Sequence, residues 1–187
     1  MDDIKRVAVL GSGVMGGAIA AHLANCGIPS LMLDIVPPNL SAEEKKDAAK
    51  RNALAAASKA ALLKTKPAPL YLPEYADLIE IGNFEDDFPR IAEADWVIEV
   101  VKEDLKIKKA VLGEAAKPRR PGSIVSTNTS GILVRSMTDV MDDDMRAHFL
   151  GTHFFNPPRY LKLIELIPGP ETRSEVVETL RRFAEDV

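Results

Sequence analysis

The sequence predicts an α/β fold: a doubly wound, mostly parallel sheet with a late antiparallel strand pair and a projecting helical arm. Three observations lead to this. Short apolar runs alternate with helical segments along the whole chain. The first apolar run leads into a glycine-rich turn, Gly11 to Gly16, that opens a helix. A stretch rich in Ala, Lys and Glu, bracketed by prolines 37, 38, 67 and 69, interrupts the alternation once.

Ile4 to Leu10 is apolar and ends at glycine, which reads as a buried parallel strand. Val14 to Asn25 has helical composition, with Cys26-Gly27 as its stop signal, and Ser30 to Asp34 is a second short strand. This strand–helix–strand unit of about thirty residues suits a right-handed crossover. Ser41 to Lys66 begins with Ser41 and Glu44 in the spacing of a capping box, predicting a helix or helical pair that projects from the sheet. The strand pattern resumes at Asp77 to Ile81, with a short helix over Asp86 to Glu93. Trp96 to Val101 is the next strand, Asp104 to Lys117 a helix, Gly122 to Ser126 a strand, and Ile132 to Val140 a short helix. Arg146 to Phe155 and Tyr160 to Ile167 are two further strands, and Glu171 to Val187 is helical. No internal repeat or low-complexity tract is present.

A chain of 187 residues suits a single domain, and 46% hydrophobic with 28% charged residues is ordinary for a soluble globular protein. The net charge of −4 gives no reason to expect nucleic acid or an acidic membrane surface as a partner. A polyanionic ligand would have to be met by a local basic patch. Cys26 is the single cysteine, which excludes an internal disulfide. It reads as a buried core thiol and fits a reducing cytoplasm. The start, MDDIKRVAVL, is charged where a signal peptide needs an apolar run, and no apolar stretch approaches a membrane span. No metal site is read in the sequence.

Gly11-Ser12-Gly13-Val14-Met15-Gly16 is GxGxxG in the context that gives the pattern meaning, after an apolar strand and before a helix. Gly11 permits the tight turn, Gly13 lets the backbone approach a pyrophosphate, and Gly16 allows close helix–strand packing. The anion meets the free amides at the helix start, in the Val14-Met15 turn. Asp34, eighteen residues beyond Gly16, ends the second strand, where a carboxylate accepts from ribose hydroxyls and repels a 2′-phosphate. No Arg or Lys follows it within six residues. A Rossmann-type site for NAD, in preference to NADP, is the expectation.

His153 lies in Gly151-Thr152-His153-Phe154-Phe155-Asn156-Pro157-Pro158. Loss of a carbinol hydride must be accompanied by loss of the hydroxyl proton, and neutral imidazole is the usual base near neutral pH. Alone, a histidine beside two phenylalanines reads as a satisfied core residue. Glu165 changes that reading. It is the single carboxylate in Leu161 to Ile167, and a charge in an apolar strand is costly unless paired. If the flanking strands fold back about a turn containing Pro157, Pro158 and Arg159, residues 153 and 165 face one another. A His–Glu pair would fix the imidazole tautomer, as in a catalytic triad. His22, in the first helix, and His148, at a strand start, read as structural.

With these residues placed, the sequence resembles the N-terminal domain of the 3-hydroxyacyl-CoA dehydrogenase family from residue 4 onward. The matching segments are GSGVMGGAIA with Asp34, VIEVVKEDLKIKKAVL at 97–112, STNTSG at 126–131, and THFFNPP with LIELI across 152–167. The resemblance implies NAD-dependent oxidation of (3S)-3-hydroxyacyl-CoA to 3-ketoacyl-CoA, as in fatty-acid β-oxidation. It makes His153 the general base, Glu165 its orienting carboxylate, and Ser130 a hydrogen-bond partner of substrate oxygen and cofactor. It places Glu103 and Lys108 against the nicotinamide-side half of the cofactor, with Asn156 in the same lining. Read without it, Glu103 and Lys108 are a solvated first helical turn. The arm at 41–66 resembles the family's arm over the CoA moiety, where Lys50, Arg51, Lys59, Lys64 and Lys66 could meet phosphates or simply be surface charge.

The family continues into a helical domain that supplies the dimer interface and closes the substrate cleft, and this sequence stops short of it. The PPRYLKLIELIP variant resembles members of larger fused enzymes that also carry an enoyl-CoA hydratase. The expectation is therefore a piece of a longer polypeptide, from a homodimeric or fused parent. Three other readings remain open. One is a β-hydroxyacid or sugar-acid dehydrogenase, although those place a catalytic Lys on the helical domain. The others are a nucleotide-binding module without turnover and a lens-crystallin-like structural relative.

Overall fold

The fold is described by a computed structural model over residues 4–186; the first residues of the MDDIKRVAVL stretch and Val187 lie outside it. Strand β1, Val7–Leu10, is wholly buried, as a central parallel strand with helices on both faces must be. It begins three residues later than expected. The amides of Lys5 and Arg6 donate to the Asp95 carboxylate, at 2.9 and 3.0 Å, and so leave the strand ladder. Helix α1 (Val14–Asn25) and β2 (Ser30–Asp34) have the predicted bounds.

The arm differs from expectation. Ser41 and Glu44 do form the reciprocal capping box, but it caps only a 3₁₀ turn, Glu44–Lys46. Asp47 then caps a new helix, α2 (Ala48–Arg51), and Asn52 separates it from α3 (Ala53–Leu62). Helix α3 lies against α1 and the β2–β3 edge of the sheet, with Ala55 and Leu62 buried. Small residues permit this: a Cβ on Gly17 of α1 would stand 2.7 Å from Ser58 Oγ. The segment is thus a broken helix whose second half, α3, is docked on the sheet and does not project. Of the five cations considered for phosphate contact, two are engaged within the protein. Arg51 pairs with Glu85 and Asp86, and Lys59 Nζ donates to the Ile79 carbonyl at 2.7 Å, whereas Lys50, Lys64 and Lys66 stay exposed.

A 3₁₀ turn at Pro73–Leu78 delays β3 to Ile79–Asn83. Another 3₁₀ turn at Phe88–Glu93 precedes β4 (Trp96–Glu99), and α4 (Leu105–Ala115) is capped by Asp104. Strand β5 (Ile124–Thr127) is followed by a 3₁₀ turn at Val134–Val140. The strand expected from Arg146 is cut short by a helix, α5 (Asp143–Ala147), because Asp142 accepts the Met145 amide and Met145 is buried. His148 ends that helix, with Nδ1 2.7 Å from the Asp144 carbonyl. Strand β6 is Phe149–Phe154, and β7 is Ile164–Pro168; residues 160–163 lie in the connection, with Tyr160, Leu161 and Leu163 exposed. Helix α6 is Ser174–Asp186.

The seven strands run in the order β3-β2-β1-β4-β5-β6-β7, all parallel except the last pair. Helices α1, α3 and α6 cover one face, where Trp96 packs against Phe154 and Phe183. Helices α4 and α5 and two of the 3₁₀ turns cover the other face. The strand order reverses between β1 and β4, so the crevice at their carboxyl ends is where such sheets take a ligand. Cys26 is only half-buried at the C-terminal cap of α1, and burial pushes its thiol pKa up. His22, on α1, has a buried Nδ1 without a hydrogen-bond partner, and burial lowers its pKa.

Candidate active site

The glycine turn is built from backbone. Gly11 has φ of +112°, and a Cβ there would meet the Val100 carbonyl at 2.8 Å. A Cβ on Gly16 would sit 1.8 Å from the Gly11 carbonyl oxygen, so Gly16 is required by packing alone. Gly13 is different: a Cβ would meet nothing within 4 Å. The protein itself does not demand glycine at 13, and the open space lies at the N-terminus of α1, where Gly13 is an N-cap without a side-chain bond. The first amides of a helix lack intrahelical acceptors and carry its positive dipole end. Val14 is 79% exposed beside them. A pyrophosphate fits this cradle.

Asp34, at the end of β2, points back at the turn. Its Oδ2 accepts from the Ser12 amide at 2.8 Å and from the Ser12 hydroxyl, while Oδ1 accepts the Ile35 amide at 2.7 Å. Carboxylate oxygens accept two bonds each, so Oδ1 retains room for a ribose hydroxyl. Sequence reading expected the ribose bonds and missed the tether to Ser12.

Across the switch point, Glu103 and Lys108 do not form a solvated helical turn. Lys108 is fully buried, with Nζ 3.0 and 3.1 Å from the two oxygens of Glu99 and 3.3 Å from Glu103. Glu103 accepts from the Thr129 hydroxyl and, at 3.3 Å, from the Gly131 amide. Burial opposes ionisation of Glu103, but the Thr129 bond and the Lys108 ammonium outweigh it and hold its carboxyl below the ordinary range. Ser130 stands exposed between these two anchors. Asn128, two residues before Ser130, accepts the Phe154 amide at 3.0 Å and ties this loop to β6.

On β6 and β7, His153 and Glu165 are register partners in the antiparallel pair. His153 Nδ1 lies 2.7 Å from Glu165 Oε2, and Phe155 flanks the imidazole with ring centroids 4.6 Å apart. The reason offered from sequence needs correcting: Glu165 is 52% exposed on an edge strand, so burial does not force the pairing. Glu99 is the carboxylate that burial does constrain. It could have been found by applying the same rule to the lone acid of Trp96 to Val101. Asn156 is exposed at the start of the turn after His153. Arg159 holds that turn, donating to the Ala68 and Leu70 carbonyls and stacking on Tyr71 at 4.4 Å. Among the described residues no helix is long and apolar enough to cross a membrane.

Comparison with known proteins identifies the family and the fold. The family described as 3-hydroxyacyl-CoA dehydrogenase, NAD binding domain, matches residues 6–187. A probable 3-hydroxyacyl-CoA dehydrogenase of Bacillus subtilis (strain 168) is 52% identical across 98% of this chain, which spans 24% of that relative's length. One from Deinococcus radiodurans is 44% identical across 97% of the chain, which spans 50% of it. The crystal structure of 3-hydroxybutyryl-CoA dehydrogenase from Escherichia coli K12 superposes with a TM-score of 0.76 at 29% identity, covering 99% of this chain and 37% of that one. The chain therefore spans half or less of these three proteins. With a glycine cradle, a strand-end aspartate and a seven-stranded doubly wound sheet, this chain belongs to the 3-hydroxyacyl-CoA dehydrogenase family and comprises its NAD-binding domain.

Proposed function

We propose that this chain is the cofactor-binding and proton-handling part of an enzyme that oxidises (3S)-3-hydroxyacyl-CoA to 3-ketoacyl-CoA with NAD. The observation that carries it is the 2.7 Å contact between His153 Nδ1 and Glu165. With the Nδ1 proton donated to the carboxylate, Nε2 keeps its lone pair and can accept the carbinol proton. Glu165 then stabilises the imidazolium, and the exposed Ser130 hydroxyl donates to the substrate oxygen as negative charge develops there. The nicotinamide, when bound, supplies the hydride acceptor. Gly11, Gly13, Val14, Met15 and Gly16 hold the pyrophosphate, Asp34 the adenosine ribose, and Glu103 and Asn156 line the nicotinamide side.

In the parent, a second, helical domain closes the cleft and carries the dimer contact, with an enoyl-CoA hydratase fused in the larger forms, and the enzyme works in the cytoplasm. A second reading is supported by coverage: a chain spanning 24% of one relative's length binds the dinucleotide without turning over by itself. One experiment separates them, NADH formation from (3S)-3-hydroxybutyryl-CoA by this chain and by its full-length parent. Turnover by the parent alone, with NADH binding by both, supports the module reading of the isolated chain. A parent that binds NADH and leaves the hydroxyacyl-CoA untouched overturns the proposed reaction.

A further inference from the structure

Residues 155–163 join β6 to β7, and they begin beside the proposed base: Phe155 packs on the His153 ring, and Asn156 follows it. Little inside this connection holds it in place. The Pro157 carbonyl accepts the Tyr160 and Leu161 amides at 3.0 Å, and the Leu161 carbonyl accepts the Leu163 amide at 2.7 Å. Tyr160, Leu161 and Leu163 stand exposed. Among the described residues, every hydrogen bond from the connection to another part of the chain ends on Ala68 or Leu70. Arg159 Nη1 donates to both carbonyls, at 2.9 Å to that of Leu70, and its guanidinium lies 4.4 Å from the centre of the Tyr71 ring. The Tyr160 hydroxyl donates to Ala68 at 3.0 Å. The receiving loop is itself fastened to α1. Asn25, the last residue of that helix, donates to the Pro69 carbonyl at 2.8 Å and accepts the Tyr71 amide at 2.7 Å. The connection after His153 thus has one polar mooring, made mostly by one arginine.

We propose that Arg159 is a positioning residue: by mooring the connection to the Ala68–Tyr71 loop it fixes Phe155 and Asn156, and through them the His153 imidazole. Glu165 holds the ring at Nδ1 alone, and one contact leaves a ring free to tilt about it. Phe155, with its centroid 4.6 Å from that of the imidazole, limits the tilt only if its own backbone is held. Bonds to carbonyls at the surface add little net stability, so what the mooring changes is the local opening of this connection. The inference rests on the reading of His153 as the base.

The test uses the full-length parent. Arg159→Met removes the donors and the charge while keeping an unbranched side chain. It should lower kcat for the hydroxyacyl-CoA roughly 10- to 100-fold, the cost of a base displaced by about an ångström, and leave NADH affinity near wild type. Arg159→Lys keeps the charge without the flat face that stacks on Tyr71, so it should recover part of the loss. Trypsin reads the mooring directly, because Lys162 stands exposed in the connection. Cleavage after Lys162 should be roughly 2- to 12-fold faster in Arg159→Met, as for one hydrogen bond lost from a local opening equilibrium. Wild-type kcat in Arg159→Met overturns the proposal. So does a parallel loss of NADH affinity, which would mark Arg159 as holding the fold at large. Should that variant not fold, wild-type kcat in Arg159→Lys overturns the proposal as well. A wild-type parent that binds NADH and leaves the hydroxyacyl-CoA untouched counts against the reaction instead. An unchanged rate of cleavage after Lys162 would then still overturn this inference.

Discussion

The nucleotide half and the proton-handling half of the site are built on opposite principles. Between β1 and β2 the structure is mostly backbone: parallel strands buried but for Asp34, a glycine turn, and a helix start whose useful groups are amides. Between β6 and β7 it is all side chain: an edge strand, exposed along much of its length, carries Glu165 opposite His153. A backbone site is fixed by which residues lack a Cβ, so an added atom at Gly11 or Gly16 clashes with the protein itself, and one at Gly13 takes only ligand space. A side-chain site is fixed by one contact between two groups, so it fails by losing function while the fold stands.

The largest effect should follow from breaking the side-chain half. His153→Gln in the full-length parent removes the base and is expected to lower kcat by about 10²- to 10⁴-fold, leaving NADH affinity near wild type. Stopped-flow turnover with a parallel NADH titration measures both; retained turnover removes His153 from the mechanism. Glu165→Gln added to it should cost little more, because the two act as a unit.

Breaking the backbone half should show the opposite pattern. Gly16→Ala drives a Cβ to 1.8 Å from the Gly11 carbonyl, and neither atom lies on a flexible side chain. The expected cost is about 3 kcal/mol of folding stability, the upper range for overpacking, together with loss of NADH binding. Urea unfolding would measure it, and a variant as stable as wild type contradicts the packing argument. Gly13→Ala meets no protein atom, so it should fold normally and lose affinity alone.

The same contrast explains what the sequence disclosed. Helix α1 and strand β2 are legible to the residue because glycines and apolar runs act locally. The His153–Glu165 pairing is legible because its spacing folds symmetrically about Pro157-Pro158-Arg159. The Glu99–Lys108–Glu103 chain is not, because it joins a strand end, a helix interior and a loop that only the fold brings together. The arm reads wrongly for a related reason: Ala, Lys and Glu favour helix, but whether that helix projects depends on Gly17 meeting Ser58. Helix α5 is missed because one capping residue, Asp142, outweighs a strand-like composition.

Asp34 belongs to both principles, a side chain serving the backbone half. Asp34→Ala should weaken NAD binding by roughly 1–3 kcal/mol. Part of that loss is the Ser12 tether, which orders the turn before any ligand arrives. The variant should also lose most of its preference for NAD over NADP, since the repelling carboxylate is gone. Isothermal titration with both dinucleotides is the measurement, and equal affinities in the wild type would remove Asp34 from cofactor choice.

The smallest effect concerns Asp95, which ties the start of β1 to the segment before β5 at the far end of the sheet. It accepts the Lys5 and Arg6 amides ahead of β1 and the Arg120 guanidinium at 2.5 Å ahead of β5. Burial alone would raise its pKa, but the two amides and Arg120 outweigh that and hold it below the usual carboxylate value. A depressed folded-state pKa means that the ionised form is bound more tightly in the folded chain. Its stabilisation is fully present above the unfolded value of about 3.9 and is lost as pH falls through the lower, folded-state pKa. Asp95→Asn should therefore cost about 1 kcal/mol at neutral pH. The gap to wild type should close progressively as both are acidified below about pH 4, where the wild-type carboxyl is itself protonated. Denaturant unfolding at neutral and acid pH gives the two differences. A gap that stays constant with pH would mean that Asp95 acts by shape alone, and that β1, β4 and β5 are held at this end by the strand ladder without help from its charge.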